Sequence, residues 1–208
     1  SVSVTTIHDL TGKPKGGVGV VLDIGKRKRT EAALAEYARQ QEALYRLSDQ
    51  YHRTESLAEV FDASLDAILN ALQCDRASIL LFDETNVMRF VAWRGLSDEY
   101  RRATDGHSPW KPDKKNPQPI AIKDVREAEL SDSLRAIIRA EGIGSLAFIP
   151  LVSSGRLIGK FMIYFDEPHV FGENELDLSL TIARQLAFGV DRKRAEEKLR
   201  ESEERFRG

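Results

Sequence analysis

The sequence predicts an α+β fold: a central antiparallel β-sheet with helices on both faces and long helices at either end. Three observations predict it. Two pairs of apolar runs, 77–82 with 87–93 and 145–152 with 157–165, are each joined by short turn chemistry, and hairpins build antiparallel sheets. The second pair, SLAFIPLV and LIGKFMIYF, is apolar at nearly every position, so both faces of its sheet need cover. Apolar stripes at helical spacing in 57–72 and 176–190 can supply that cover.

In chain order, residues 1–25 read first as a hairpin. SVSVTTIHD alternates β-branched residues, DLTGKP holds the turn residues Asp, Gly and Pro, and GVGVVLDI is a second β run. Two strands alone are marginal in water, so this hairpin lacks its parent sheet or borrows a partner. From Lys26 to about Tyr51 follow good helix formers with no Gly or Pro. Leu34, Tyr37, Gln41, Leu44 and Tyr51, with Ser48 in the last gap, make a polar-interrupted, heptad-like stripe. Thr54 or Ser56 is placed to cap a helix running to about Leu72, whose stripe includes Leu57, Val60, Phe61, Leu65 and Ile68.

ASILLF (77–82) and VMRFVAW (87–93) then flank the turn Asp83-Glu84-Thr85-Asn86. Residues 95–118 form an irregular excursion punctuated by Gly95, Gly106, Pro109, Pro112 and Pro117, with a short helix at 98–103. PIAI (119–122) is a brief strand. Asp124 and Ser131 are N-cap candidates, and SDSLRAIIRAEG reads as a helix ended by Gly142. Pro150, inside the next apolar run, requires a bulge or an edge position. Gly172-Glu173-Asn174 opens the last helix, whose stripe is Leu176, Leu180, Ala183, Leu186, Ala187 and Val190. Beyond Val190 only Ala195, Leu199 and Phe206 are apolar, and pairs such as Arg192/Glu196 at i, i+4 support a solvated helix.

Composition narrows the function. With 41% hydrophobic and 31% charged residues the chain reads as globular, and its formal net charge of −2 offers no bulk field to nucleic acid or an anionic membrane. The longest apolar run, Leu146–Val152, is too short to span a bilayer as a helix, and SVSVTTIHDL lacks the form of a signal peptide. A single cysteine, Cys74, excludes an internal disulfide framework and suits a reducing cytoplasm. The chain starts mid-pattern without Met and stops at Phe206-Arg207-Gly208, as a piece of a longer protein would. RKRTEAALAE (27–36) returns as RKRAEEKLRE (192–201). Acidic residues follow both basic runs and no aromatics interleave, so these are connector helices rather than nucleic-acid sites.

LSDQYHRTESLAEVFDASLDAILNALQCDRASILLFD, VAWRGLSDEYRRA and LAFIPLVSSGRLIGKFMIYFDEPHVFGENELDLSLTIARQLAFGV together resemble a GAF domain of a bacterial sensory protein. The most specific part is Ile149-Pro150-Leu151, Gly155 and Ile158-Gly159. GVGVVLDIGKRKRTEAAL resembles the last strand and exit helix of a PAS domain, with Gly25 where that family reads Thr, and RKRAEEKLRESEERFRG resembles the helix entering another. The resemblance implies a PAS hairpin remnant at 1–25, a linker helix at 26–52, a GAF domain at 45–190 and a linker helix at 191–208 leading into a PAS domain. It also implies a non-catalytic regulatory module in a signal-transduction protein. A sensor histidine kinase is the parent it favours, with a cyclic-dinucleotide enzyme as the alternative.

The residues support that reading by what they lack. His8, His52, His107 and His169 are scattered, with no HExxH, no close His/Cys/Asp cluster and no P-loop. The glycine-rich GKPKGGVGV leads into a strand, whereas a phosphate loop leads into a helix. No catalytic or metal-binding residue is therefore expected. The resemblance implies that the 93–124 segment walls a pocket over one sheet face, which makes Trp93, His107, Trp110 and Phe148 the candidate ligand-pocket residues. The competing expectation is that the tryptophans close the core and His107 sits at the surface. Bilin-binding relatives carry a Cys, often Cys-His, near this segment. Here Gly106 precedes His107, which argues against a covalent bilin, while His107 leaves haem open. No cyclic-nucleotide motif matches, and one cysteine is too few for a methionine sulfoxide reductase. The expected assembly is a homodimer through the terminal helices, with Leu34, Leu44, Tyr51, Leu176, Ala183 and Val190 on the seam. It would relay a small-molecule or partner event to the next domain; the alternative is a ligand-free spacer.

Overall fold

The structure is a computed structural model that describes residues 2–9, 11–21, 54 and 56–207, with positions 27, 28, 30, 31, 34, 35, 37, 38, 41, 42, 45 and 49 between them. The chain divides into two compact units, Ser1–Gln41 and Glu42–Gly208. In the first, β1 (Val2–His8) and β2 (Pro14–Val21) pair antiparallel, as the alternation predicts. Asp9 holds their turn, its carboxylate accepting from the backbone N–H groups of Thr11 and Lys13 and from the Thr11 hydroxyl. The described positions from 27 to 49 are helical and exposed, Leu34 at 67%. Leu44 and Tyr51 lie outside the described residues.

In the second unit the elements are α1 (Leu57–Leu72), β3 (Arg76–Phe82), β4 (Met88–Arg94), α2 (Asp98–Thr104), β5 (Ile120–Ile122), α3 (Asp132–Ala140), β6 (Ser145–Ser153), β7 (Arg156–Phe165) and α4 (Glu173–Arg207). The strands form one antiparallel sheet in the order β4-β3-β7-β6-β5. Local chemistry sets the boundaries. Ser56, rather than Thr54, caps α1, its Oγ accepting from the Glu59 N–H at 3.3 Å. Ser97 and Ser131 cap α2 and α3 in the same way. Asp124 caps no helix; it closes a turn by accepting from the Arg126 guanidinium and backbone, which hold its carboxyl down at about 2. Ser154 and Gly155, at φ 49° and 74°, make the two-residue turn between β6 and β7. β5 pairs with β6 only as far as Phe148, so Pro150 lies on an open edge, just before the register slips between Leu151 and Val152.

Both faces of the sheet are covered, as its apolar strands require. Helices α1 and α4 pack over Ile79, Ile149, Phe161 and Ile163 to form one core. The excursion, with α2 and α3, packs over Leu80, Leu146, Met162 and Tyr164 to form the other. At Gly159 the strands β7 and β3 approach so closely that an added methyl would strike the Leu80 carbonyl and Leu81.

The last helix departs from the sequence expectation. At 2% and 0% exposure Ala183 and Val190 sit in the chain's own core, and Leu176 packs against its edge. An apolar stripe is buried most cheaply on the nearest apolar face, and here that face is the sheet. The outer side of α4 instead shows Phe188, Ala195, Leu199 and Phe206 at heptad spacing, Phe188 being 64% exposed. Among the described residues no helix is long and apolar enough to cross a membrane.

Candidate functional site

Between the sheet and the excursion lies a cavity of about 60 Å³. Leu80, Phe90, Phe148 and Lys160 line it from the sheet, Tyr100 and Thr104 from α2, and Leu134 and Ile138 from α3. It is framed because the strand alternation sends Leu80, Phe148 and Lys160 to this face. The register confirms their proximity: Lys160 pairs with Leu80 on one side and with Pro150 on the other, two residues from Phe148.

Lys160 is the unusual member. It is 2% exposed and stands in a strand whose neighbours are apolar. Its Nζ donates to the carbonyl oxygen of His107 at 2.9 Å and lies 4.9 Å from the centroid of the Phe148 ring. An ammonium carries three donors, and among the described residues no other acceptor and no carboxylate is paired with this one. Burial strips the group of water and pulls it from 10.5 down to about 7. The carbonyl dipole and the ring face are the groups that favour its charge here.

The remaining polar atoms of this face are tied to one another. Ser78 Oγ and Tyr164 Oη are 2.9 Å apart, and the Thr104 hydroxyl donates to the Tyr100 carbonyl. Tyr100 packs edge-on to Tyr164, with ring centroids 6.0 Å apart. Burial pushes the Tyr100 phenol up to about 12 and the Tyr164 phenol well above its ordinary value. Lys160 is thus the charge of the cavity, set in a wall that is otherwise apolar or already hydrogen-bonded.

The four predicted pocket residues are only partly brought together. Phe148 lines the cavity, with the Lys160 ammonium over its ring. His107 lies beside it but is an exposed residue, and the atom it gives to the site is its backbone carbonyl. Trp93 shares this side of the sheet yet lies further along β4, where the Arg101 guanidinium stacks 3.6 Å from its ring centroid. Trp110 is buried in a separate surface groove with Pro109, Lys111 and Pro119. Lys160 is the residue the sequence reading missed. Its signal is present in LIGKFMIYF, where one cation interrupts a run that must be buried on both sides.

Neither prosthetic group weighed from the sequence fits these residues. Cys74, the only cysteine of the chain, belongs to the core on the opposite face of the sheet, where burial pushes its thiol up to about 12. It therefore offers no attachment point for a bilin in this cavity. The exposed His107 and a volume of about 60 Å³ do not accommodate a haem. Among the described residues no cluster of His, Cys, Asp or Glu is arranged to hold a metal ion.

A second feature links the two faces of the sheet. Along β6, Phe148 faces the cavity and the next residue, Ile149, packs in the core with α4; along β7, Lys160 and Phe161 divide in the same way. The Ser153 hydroxyl at the end of β6 also donates to the Asp191 carboxylate on α4. Lys193, buried on α4, pairs with Glu196 at 2.7 Å.

The family model described as GAF domain matches residues 54–191. A domain assigned to a two-component sensor histidine kinase protein of Sinorhizobium meliloti is 56% identical, with a TM-score of 0.67 over 71% of this chain and 99% of that one. The GAF domain of a phosphoenolpyruvate-protein phosphotransferase from Acinetobacter is 18% identical, with a TM-score of 0.59 over 76% and 97%. The PixJ GAF domain of Thermosynechococcus elongatus, in its blue-light absorbing form, is 21% identical, with a TM-score of 0.59 over 70% and 91%. These last two are alike in fold alone. No curated protein matches the sequence.

Proposed function

The chain belongs to the GAF-domain family, and from that premise we propose that it is a non-catalytic sensory module whose input is the cavity at Lys160 and whose output is helix α4. The likeness to a domain assigned to a sensor histidine kinase supports such a kinase as the parent protein. The observation that carries the reading is the division of neighbouring residues across one layer of sheet. Phe148 and Lys160 meet the cavity, while Ile149 and Phe161 meet the core that seats α4. A shift of either strand that accommodates an occupant therefore moves the bed of the output helix, because packed interiors pass strain on.

The outer stripe of α4 supports a homodimer. Phe188, Ala195, Leu199 and Phe206 repeat at coiled-coil spacing, so two copies can pair along the charged half of the helix. The repeated phrases at 27–36 and 192–201 then mark the joints to neighbouring domains, for which PAS domains are our reading of the flanks. Replacing Phe148 with Trp fills the cavity without adding charge. Hydrogen exchange should then change along residues 182–199 as well as at the cavity wall. Change confined to residues 100–150 would sink the relay. The small volume of the cavity favours a second reading, a ligand-free dimerising spacer, and native mass spectrometry of the purified chain separates the two by a bound or an absent small molecule.

A further inference from the structure

A buried ammonium surrounded by apolar side chains is costly unless something answers its charge. Lys160 has one acceptor, the His107 carbonyl, and its remaining N–H donors have no carboxylate to meet among the described residues. The surrounding wall is Leu80, Phe90, Phe148, Leu134 and Ile138. The volume of about 60 Å³ is room for the centre of a water-sized sphere, so the space a small molecule can fill is larger than that figure. The site thus offers one cationic contact in a wall that is otherwise apolar or already hydrogen-bonded. A phosphate or sulfate would bring further acceptors and charge that this wall cannot meet, whereas one carboxylate with a short apolar tail meets both.

We propose that the cavity binds a short-chain monocarboxylate, with its carboxylate on Lys160 and its alkyl tail against Phe148, Leu134 and Ile138. The proposal rests on the reading of this cavity as the input site. The occupant competes with or supplements the His107 carbonyl for the ammonium, so binding bears directly on the tie between sheet and excursion. The other titratable groups on the wall are Tyr100 and His107, and neither supplies the missing negative charge at neutral pH.

The test is calorimetric titration of the full chain with acetate, propionate and butyrate, and with propionamide as the neutral isostere, near pH 7. We expect saturable binding of propionate on the order of millimolar, as so few atoms allow, and about tenfold or more weaker binding of propionamide. Lys160→Met should weaken propionate by about tenfold or more, because a charge-assisted contact is lost. Leu134→Phe leaves Lys160 in place and shortens the apolar end, so it should exclude butyrate while keeping acetate; this variant serves if Lys160→Met does not fold. Equal binding of propionamide, equal binding of chloride titrated in the same way, or no binding of any carboxylate overturns the proposal. The relay is judged separately. If Phe148→Trp still alters exchange along α4 while no carboxylate binds, the ligand assignment alone has failed. If propionate binds and α4 does not respond, the assignment stands and the relay has failed.

Discussion

The Lys160 ammonium on β7 donates to the His107 carbonyl just after α2, across 2.9 Å and a sequence separation of 53 residues. That bond fastens an irregular excursion to the middle of a sheet. It also holds an amine that is almost wholly buried. A group kept in such a place costs stability, and positions of that kind are where function is most readily sought.

The cost makes a pH signature. Folding lowers Lys160 from 10.5 to about 7, so between these values the unfolded chain binds more protons than the native one. Native stability should therefore rise as pH increases from about 7 toward 10, and the full penalty applies below 7. Lys160→Met should remove this rise and stabilise the protein at pH 6 by about 2–4 kcal/mol. Urea denaturation at pH 6 and pH 9 measures it; an unchanged slope with pH in the variant would show that the amine is solvated.

Two neighbours on α4 should behave as opposites. Val190 is fully buried, and Val190→Glu should cost about 3–5 kcal/mol through an unpaired buried charge. Phe188 is exposed, and Phe188→Glu should change stability by less than about 0.5 kcal/mol while turning a dimer into a monomer. Thermal melting and sedimentation equilibrium read the two effects. A Phe188→Glu protein that remains dimeric would remove the seam from the outer face of α4.

Gly159 and Gly155 are both part of the motif around the last hairpin, for different reasons. At Gly159 a methyl meets the Leu80 carbonyl and Leu81, and backbone of the neighbouring strand leaves it little room to shift. Gly159→Ala should cost about 2–4 kcal/mol. At Gly155 there is open space and only a positive φ of 74°, so Gly155→Ala should cost about 1 kcal/mol. Chemical denaturation of both ranks them, and the reverse order would contradict this account of the strand approach.

Cys74 should act as a probe of opening. It is 8% exposed and its thiol is pushed up to about 12, so an aromatic disulfide reagent at pH 8 should label it only in molecules that have opened. The labelling rate should fall when the core is stabilised and rise steeply in urea. Immediate stoichiometric labelling of the native protein would place the thiol at the surface.

What the sequence made legible follows from period and punctuation. The stripe of α1, the serines at its start and at α3, and the two hairpins are local patterns, and each is found where its residues placed it. The doubly apolar β6 and β7 also foretold two cores. The site was less legible because it depends on position along a strand. The ladder slips between Ile79 and Leu80, which puts Phe90 opposite Leu80 and Trp93 opposite Ser78. A tryptophan that reads as a pocket wall is thereby carried beneath Arg101 instead. Lys160 was readable but easily passed over, since a single polar residue hardly alters an apolar run. The stripe of α4 was correctly identified as apolar, but periodicity alone does not distinguish a chain's own sheet from a second copy of the helix.

Helix α4 leaves its domain without a break, continuing from buried Val190 through to Arg207. Residue count along it is therefore also an angle: each residue turns the downstream face by about 100°, and seven residues bring it nearly home. Anything joined beyond this helix is aimed by arithmetic. Adding seven residues would lengthen the arm and keep its bearing, whereas adding three or four would swing the stripe to a different heading and leave the rest of the domain untouched.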